Sequence, residues 1–384
     1  MKYLILFLLS CSFLAVGAVE GSYQKMAAPK IPFAPLSYVC YRAPHAPSLD
    51  GTLTDPAWES APWTTEFVDI QGPLKPKPWF RTRAKLLWDD SYLYIGAELL
   101  EEHVWAKLTQ RDSVIYMDND FEVFIDPDGD THRYYELEVN ALNTIWDLFM
   151  IMPYRDDMQG RSSLTSWDVQ GLKSAVHVNG TLNDPRDTDR GWTVELAIPW
   201  EVLKECSPGR RPPLPGEQWR MNFSRVEYRV DVRDGAYEKR KDPATGKPFD
   251  EENWVWSPQG LINMHYPEMW GYVQFSSLVA GRGREAFVPK PEEAIKWALR
   301  RVYYAERMFN DARGAFTEDL AQLGLQDLLV PGCLPPAIKV TPSLFEAVIE
   351  VQGGDSWHIR QDGLVWKGSE AKPDPNKANP QNWE

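Results

Sequence analysis

The chain has 384 residues, is 43% hydrophobic and carries a formal net charge of -14. This length and apolar content suffice for one large folded domain plus a smaller unit, and exclude a disordered protein. The acidic balance excludes a nucleic-acid binder, because phosphate backbones demand clustered Lys and Arg; neutral ligands or cations fit better.

Residues 1–18, MKYLILFLLSCSFLAVGA, combine one Lys, an apolar run and small residues at Val16 and Ala18, the pattern of a cleaved export signal. Leu8-Leu9-Ser10-Cys11 also has the form of a lipidation box with Cys11 as the anchor. The apolar run is too short for a comfortable transmembrane span, so a secreted or cell-surface protein is expected. Residues 19–36, rich in Pro and Ala without periodicity, read as a linker.

From 37 to 280 the chain reads as short strands: Arg83 to Trp88, Tyr92 to Glu98, Asp120 to Asp126, Tyr134 to Asn140, Thr144 to Met150, Trp192 to Ile198, Trp219 to Tyr228 and Trp270 to Phe275. Many short strands with few helical patterns predict an all-β, antiparallel, jelly-roll-like sandwich. Trp192, Val194, Leu196 and Ile198 form a core stripe by alternation. Residues 229–253 turn polar and carry Gly and Pro, an insertion of the kind that is functional or disordered. Trp254 and Trp256, two apart, would share one strand face as a ligand platform or as core.

After Ser277 the pattern changes. Residues 285–368 read as a helix over Pro291 to Asn310 followed by strands at Ala347 to Val351 and Trp357 to Trp366, a packing or interaction unit that could contact a partner protein. The polar, Pro-rich residues 369–384 read as a disordered tail. Cleavage after Ala18 leaves Cys40, Cys206 and Cys333, enough for one disulfide, and Asn179 and Asn222 head glycosylation sequons.

The most informative stretch is Ile115 to Asp147. Alternation puts Phe121, Val123 and Ile125 on one face and Glu122, Phe124 and Asp126 on the other. The next strand repeats this, with Tyr135, Leu137 and Val139 opposite Tyr134, Glu136, Glu138 and Asn140. The polar face is either an ordinary solvated sheet or a binding site, since buried charge must be paired or used. In the connecting turn, Asp126, Asp128 and Asp130 begin like a helix-loop-helix calcium loop, but Thr131 and Leu137 occupy its sixth and twelfth positions, so that motif fails. A non-helical calcium site or a plain hairpin turn remains.

Four segments, Leu49-Asp-Gly-Thr-Leu-Thr-Asp-Pro-Ala-Trp58 with Ala61, Leu87-Trp-Asp-Asp-Ser-Tyr-Leu-Tyr-Ile-Gly96, Asp120-Phe-Glu-Val-Phe-Ile-Asp126 and Gly191-Trp-Thr-Val-Glu-Leu-Ala-Ile-Pro-Trp200, resemble in that order carbohydrate-binding module family 9. The likeness runs from about Tyr38 to Phe275. It implies a sandwich that binds sugars between two aromatic rings and holds structural calcium. Glu122 falls on a sugar-contacting carboxylate. Tyr116 stands for the first ring, Met264 with His265 and Tyr266 for the second, and Glu138 where the resemblance implies an Arg.

The expected function is therefore exported, non-catalytic binding of a poly- or oligosaccharide. Tyr116, Trp146, Trp254 or Trp256 would stack on the sugar, Glu122, Asn140 and Arg111 would hydrogen-bond its hydroxyls, and His265 would border the site. Calcium, if bound, falls to Asp126, Asp128 and Asp130. Two alternatives stand beside this: a glycoside hydrolase using Glu122 and Glu138 as a carboxylate pair, and a haem-binding sandwich with Met264, His265 and Met269 as candidate ligands.

Overall fold

The computed structural model describes residues 25–157 and 160–368, so the export signal, Cys11 and the tail lie outside the described residues. The sandwich strands are β1 (Ser37–Arg42), β2 (Val68–Asp69), β3 (Thr82–Trp88), β4 (Tyr92–Leu99), β5 (Asp120–Asp126), β6 (Tyr134–Asn140), β7 (Ile145–Met150), β8 (Ser163–Leu164), β9 (Lys173–Asn179), β10 (Gly191–Pro199), β11 (Gln218–Glu227), β14 (Glu252–Val255) and β15 (Gly271–Val279); β12 (Val230–Arg233) and β13 (Ala236–Lys239) form a separate hairpin.

These thirteen strands follow the order β8-β7-β6-β5-β11-β15-β1-β3-β4-β10-β9, with β14 and β2 branching from β11. The sheet closes over itself as two wings. Phe121, Val123, Ile125, Tyr135, Leu137 and Val139 of one wing meet Leu86, Ile95, Trp192, Val194, Leu196 and Ile198 of the other in a single core. The β-branched and aromatic alternation that predicts the strands is thus what fills the space between the wings. All but two strand pairings are antiparallel; β1 runs parallel to both β15 and β3.

The outer face of the second wing is closed by the segment before β2. Helix α1 (Pro56–Glu59) starts at Asp55, whose carboxylate accepts the Ala57 N–H at 2.9 Å, as the Asp-Pro pair predicts. Buried Glu195 accepts from the Trp58 indole at 2.6 Å and from the backbone N–H groups of Asp50 and Gly51 at 2.9 and 2.6 Å. The first and fourth segments of the resemblance are therefore tied to each other by one carboxylate.

Past a short helix, α2 (Trp200–Leu203), and the rest of the sandwich comes α3 (Glu292–Arg313), which packs on the sheet β16 (Ala337–Val340), β17 (Phe345–Glu350), β18 (Ser356–Arg360) and β19 (Val365–Lys367). Gly314 ends the helix in the left-handed region at φ 73°, its N–H donating to Asn310 O. This unit is docked on the sandwich by buried ion pairs rather than by apolar contact alone. Arg155 donates to both oxygens of Glu268 at 2.8 and 3.0 Å, and Arg307 donates to Asp156 at 2.7 Å. The hydroxyls of Tyr303 and Tyr304 donate to Asp156 and Glu268.

Three expectations are corrected. Residues 25–36 are not a free linker: Met26 is buried in the core of the C-terminal unit, Phe33 stacks on Trp297 at 4.2 Å, and Lys30 N–H donates to Gly260 O at 3.2 Å. Apolar side chains in a sequence without periodicity can still be buried when both flanking units offer a groove. Cys40, Cys206 and Cys333 are all free, each in a different part of the fold. Asn222 is fully buried in β11, where its side chain pairs with Ser257, so its sequon is inaccessible in the folded protein. No helix of the described residues is long and apolar enough to cross a membrane.

Candidate functional site

The outer face of the first wing carries a pocket of about 450 Å³. Its floor is the polar side of the alternation: Glu122 and Phe124 from β5, Glu136 and Glu138 from β6, Trp146 and Leu148 from β7. Glu122 and Glu138 face each other directly across the ladder. Tyr116 and Tyr154 rise at the mouth, 39% and 42% exposed. The opposite wall is Glu251, Asn253, Asn263, Met264 and His265, delivered by β14 and the loops on either side of it.

The walls are held by specific bonds. Glu138 accepts the Tyr116 N–H at 2.9 Å, and the Tyr228 hydroxyl donates to Tyr116 O at 3.0 Å, fixing the turn that presents the ring. Tyr116 and Trp146 lie tilted at 33°, centroids 6.2 Å apart, as a joined aromatic surface. His265 Nδ1 pairs with the Tyr134 hydroxyl at 2.8 Å, its ring meets Tyr154 edge-on at 4.5 Å, and its carbonyl accepts from Arg155 at 2.5 Å. The docked C-terminal unit therefore braces one wall of the pocket through Arg155.

The carboxylates are the unusual feature. Glu122, Glu136 and Glu138 are at least nine-tenths buried, and Asp120 lies wholly buried beside them. Glu122 Oε2, Glu136 Oε2 and Asp120 Oδ2 have no hydrogen-bond partner. Burial, opposed by the Ser224 hydroxyl across the ladder and helped by the charge of Glu251, pushes the Glu122 carboxyl up to about 7. Burial and the charge of Glu122 hold Glu136 and Glu138 well above the usual carboxylate range. Burial and the nearby Arg155 press His265 down to about 3, leaving it neutral. The residues that line the pocket include no Lys or Arg.

Of the residues expected at the site, Glu122, Tyr116, Trp146 and His265 line this one pocket. The others are placed elsewhere. Trp254 and Trp256 are 2% and 1% exposed in the sandwich core, so neither is a platform. Their short strand is covered on that face by the other wing, and Gly271 sits where any side chain would strike the Trp256 ring. Arg111 donates to both oxygens of Asp147 at 2.6 and 2.7 Å and to Asp168 at 3.0 Å, on the face opposite Trp146. Asn140 has spent its groups on the chain: its amide donates to Leu108 O and Asp118, and its oxygen accepts from Leu142 and Thr144.

Asp126, Asp128 and Asp130 do converge, each offering an oxygen within 4.8 Å of the others. The turn also closes itself. Asp126 accepts the N–H groups of Gly129 and Thr131 at 3.0 Å each, and Arg133 reaches Asp128 and Asp130 at 3.5 and 3.2 Å. As for the haem alternative, Met264 and His265 line the pocket, whereas Met269 is buried in the core of the C-terminal unit, so the three candidates do not share a site. Tyr266 also points away from the pocket, stacking on Tyr304 at 6.3 Å.

Glu136, Tyr154, Glu251 and Asn253 belong to the site without having been singled out for it. Glu136 was legible from alternation. Tyr154 and Glu251 come from loops, and only the folded chain brings them to the sheet. A larger cleft of about 550 Å³ lies between β15 and α3, lined by Phe33, Tyr272 and Trp297 among others. Its carboxylate, Glu293, is already bound by Lys296 at 3.0 Å and by the Tyr272 hydroxyl at 2.8 Å, so convergent free polar groups favour the smaller pocket over volume.

Residues 49–213 match a family described as carbohydrate family 9 binding domain-like. Exoglucanase XynX of Acetivibrio thermocellus is 29% identical over 157 residues, 41% of this chain and 12% of that protein. Endo-1,4-beta-xylanase A of Thermoanaerobacterium saccharolyticum is 28% identical over 119 residues, 31% of this chain and 8% of that protein. The chain thus spans about a tenth of the length of these curated relatives. A carbohydrate binding module family 9 from Caldicellulosiruptor kristjanssonii, solved with cellotriose, aligns with a TM-score of 0.40 at 15% identity, over 67% of this chain and 99% of that one. Such structural likeness is distant, and the assignment rests on the sequence match. Residues 49–213, which hold the acidic floor of the pocket, are a carbohydrate family 9 binding domain-like segment.

Proposed function

We propose that this chain is an exported, non-catalytic carbohydrate-binding protein. The observation that carries the reading is the pocket itself: an open concavity on the family 9-like segment, with aromatic faces beside buried carboxyls and amides. Tyr116, Trp146 and Tyr154 offer flat surfaces to the C–H face of a sugar ring, while Glu122, Glu136, Asn253 and Asn263 reach its polar edge. The pocket volume falls within the range of small-ligand sites. Export rests on the sequence pattern of residues 1–18.

Binding is favoured over hydrolysis because burial acts on the acids of the floor alike. Hydrolysis needs one carboxyl kept protonated and another kept ionised, whereas burial raises Glu122, Glu136 and Glu138 together. Calcium, where bound, falls to Asp126, Asp128 and Asp130, whose oxygens suit that ion. A glycan array probed with the whole chain tests the main reading. Retention of one glycan class supports it; a blank array sinks it, and release of reducing sugar abolished by Glu122→Gln replaces it with an enzyme.

A further inference from the structure

We propose that the pocket takes a cationic sugar, one bearing a free amino group, whose ammonium sits between Glu122 and Glu138 on the floor. The inference rests on the carbohydrate-binding reading and narrows it to a substrate class.

The charge inventory comes first. Glu122, Glu136, Glu138 and Glu251 line the pocket, and Asp120 stands against the floor, yet no basic side chain is among the lining residues. The ammonium of Lys239, from the hairpin insertion, lies over the Tyr228 ring at 3.3 Å, outside the lining, and its charge acts on Glu251 at the wall rather than on the Glu122 and Glu138 floor. Arg155, behind His265, is committed to Glu268. Burial holds Glu122 and Glu138 raised; an ammonium entering the pocket favours their ionised form and pairs with it, which a neutral sugar does not, and a buried charge is costly unless it is paired.

The second observation is unmet hydrogen bonding. Glu122 Oε2, Glu136 Oε2 and Asp120 Oδ2 are buried and unpartnered. Such atoms are uncommon in a native fold and ask for a donor. An ammonium supplies three donors and no acceptor, which matches carboxyls that become acceptor-only once its charge draws them to the ionised form.

Spacing is the third. Asp120, Glu122 and Glu138 each present an oxygen within 4.8 Å of the others. Three oxygens hydrogen-bonded tetrahedrally to one nitrogen at about 2.8 Å lie about 4.6 Å apart, so one ammonium can bridge them. Tyr116, Trp146 and Tyr154 then cover the ring and favour the positive charge through their faces.

The test is titration of the whole chain, in chelator and at low salt, with three β-1,4-linked tetramers: 2-amino-2-deoxyglucose, its N-acetylated form and glucose. The expected result is binding of the amine at least tenfold tighter than either neutral tetramer, weakened by added salt and reduced to parity in Glu138→Gln. Gln retains an oxygen for the Tyr116 N–H, and the comparison between ligands stands even if that variant misfolds. Equal or tighter binding of a neutral tetramer overturns the inference and leaves carbohydrate binding intact. Spermidine binding as tightly as the amino sugar overturns it as well, because the sugar ring would then contribute nothing. If none of the three tetramers binds and the glycan array is blank, both readings fall.

Discussion

Two groups of buried carboxyls lie on either side of Arg155, and they are handled in opposite ways. Beneath the C-terminal helix, Glu268 and Asp156 are met by Arg155 and Arg307 and by two tyrosine hydroxyls. Although burial alone would raise Glu268, Arg155 and Arg300 hold it down at about 2. In the pocket, comparable burial with no cation in reach raises Glu122 to about 7. The first arrangement has its charge met within the protein, by Arg155 and Arg307, even though Asp156 Oδ2 makes no hydrogen bond and burial leaves the Asp156 carboxyl raised, and it serves docking. The second is completed only by something from outside, which is the mark of a binding site rather than of a structural network.

The largest way to break this contrast is to strip the network of its cation. Arg155→Ala leaves Glu268 and Asp156 buried beside an unfilled space, a change of about 3–5 kcal/mol. Urea unfolding should show that loss. Ligand affinity should fall as well, because Arg155 also holds the His265 carbonyl at the pocket wall. A variant with wild-type stability would mean that the network is not what docks the two units.

The pH dependence of stability sharpens the same contrast. Glu122 is raised from 4.5 to about 7, so over that interval the folded state keeps a proton the unfolded chain has released, and stability falls as pH rises. Glu268 is lowered from 4.5 to about 2, so its contribution is present above 4.5 and lost as pH falls toward 2. Each limb has a limiting slope of about 1.4 kcal/mol per pH unit. The urea midpoint should therefore peak near the point where the limbs meet. Glu122→Gln should reduce the limb above it, to which Asp126 and Glu306, also raised to about 7, contribute, and Glu268→Gln the limb below, which Glu293 shares; a neutral limb unchanged by Glu122→Gln would leave that limb to Asp126 and Glu306.

At the pocket mouth the effects are smaller. Tyr116→Ala should cost about 0.5–1.5 kcal/mol of glycan binding and leave stability within about 0.5 kcal/mol, since the ring is partly exposed at the mouth and outside the core. Comparable loss of binding and stability would place Tyr116 among the core aromatics instead. Smallest is the Asp126–Asp130 turn, an intermediate case in which Arg133 already meets two of the acids. Bound calcium there would make the melting midpoint drop in chelator, and an unchanged midpoint removes the ion.

Much of the sandwich was legible because its signal is local. β5 and β6 run from Asp120 to Asp126 and from Tyr134 to Asn140, as the alternation places them, and the Trp192 to Ile198 stripe lies in the core. Alternation also separated the acids from the apolar face, which is why Glu122 could be found. It could not decide which polar residues were already satisfied. Arg111 and Asn140 carry suitable chemistry, yet their partners, Asp147, Asp168, Asp118 and Leu108, come from other segments. Trp254 and Trp256 look like a platform when only their spacing is known, and become core once the second wing covers them.

Side-chain period and turn chemistry act over a few residues, so the amino-acid order by itself determined the strands, the acid-rich face and the α1 cap at Asp55. Whether a buried acid is paired depends on segments more than a hundred residues away, as with Arg155 and Glu268. Only the tertiary structure decided that Glu268 would meet an arginine while Glu122 and Glu136 would keep unpartnered oxygens in an open pocket. The physical reason is that burial and charge compensation belong to the packed molecule, not to any stretch of its chain.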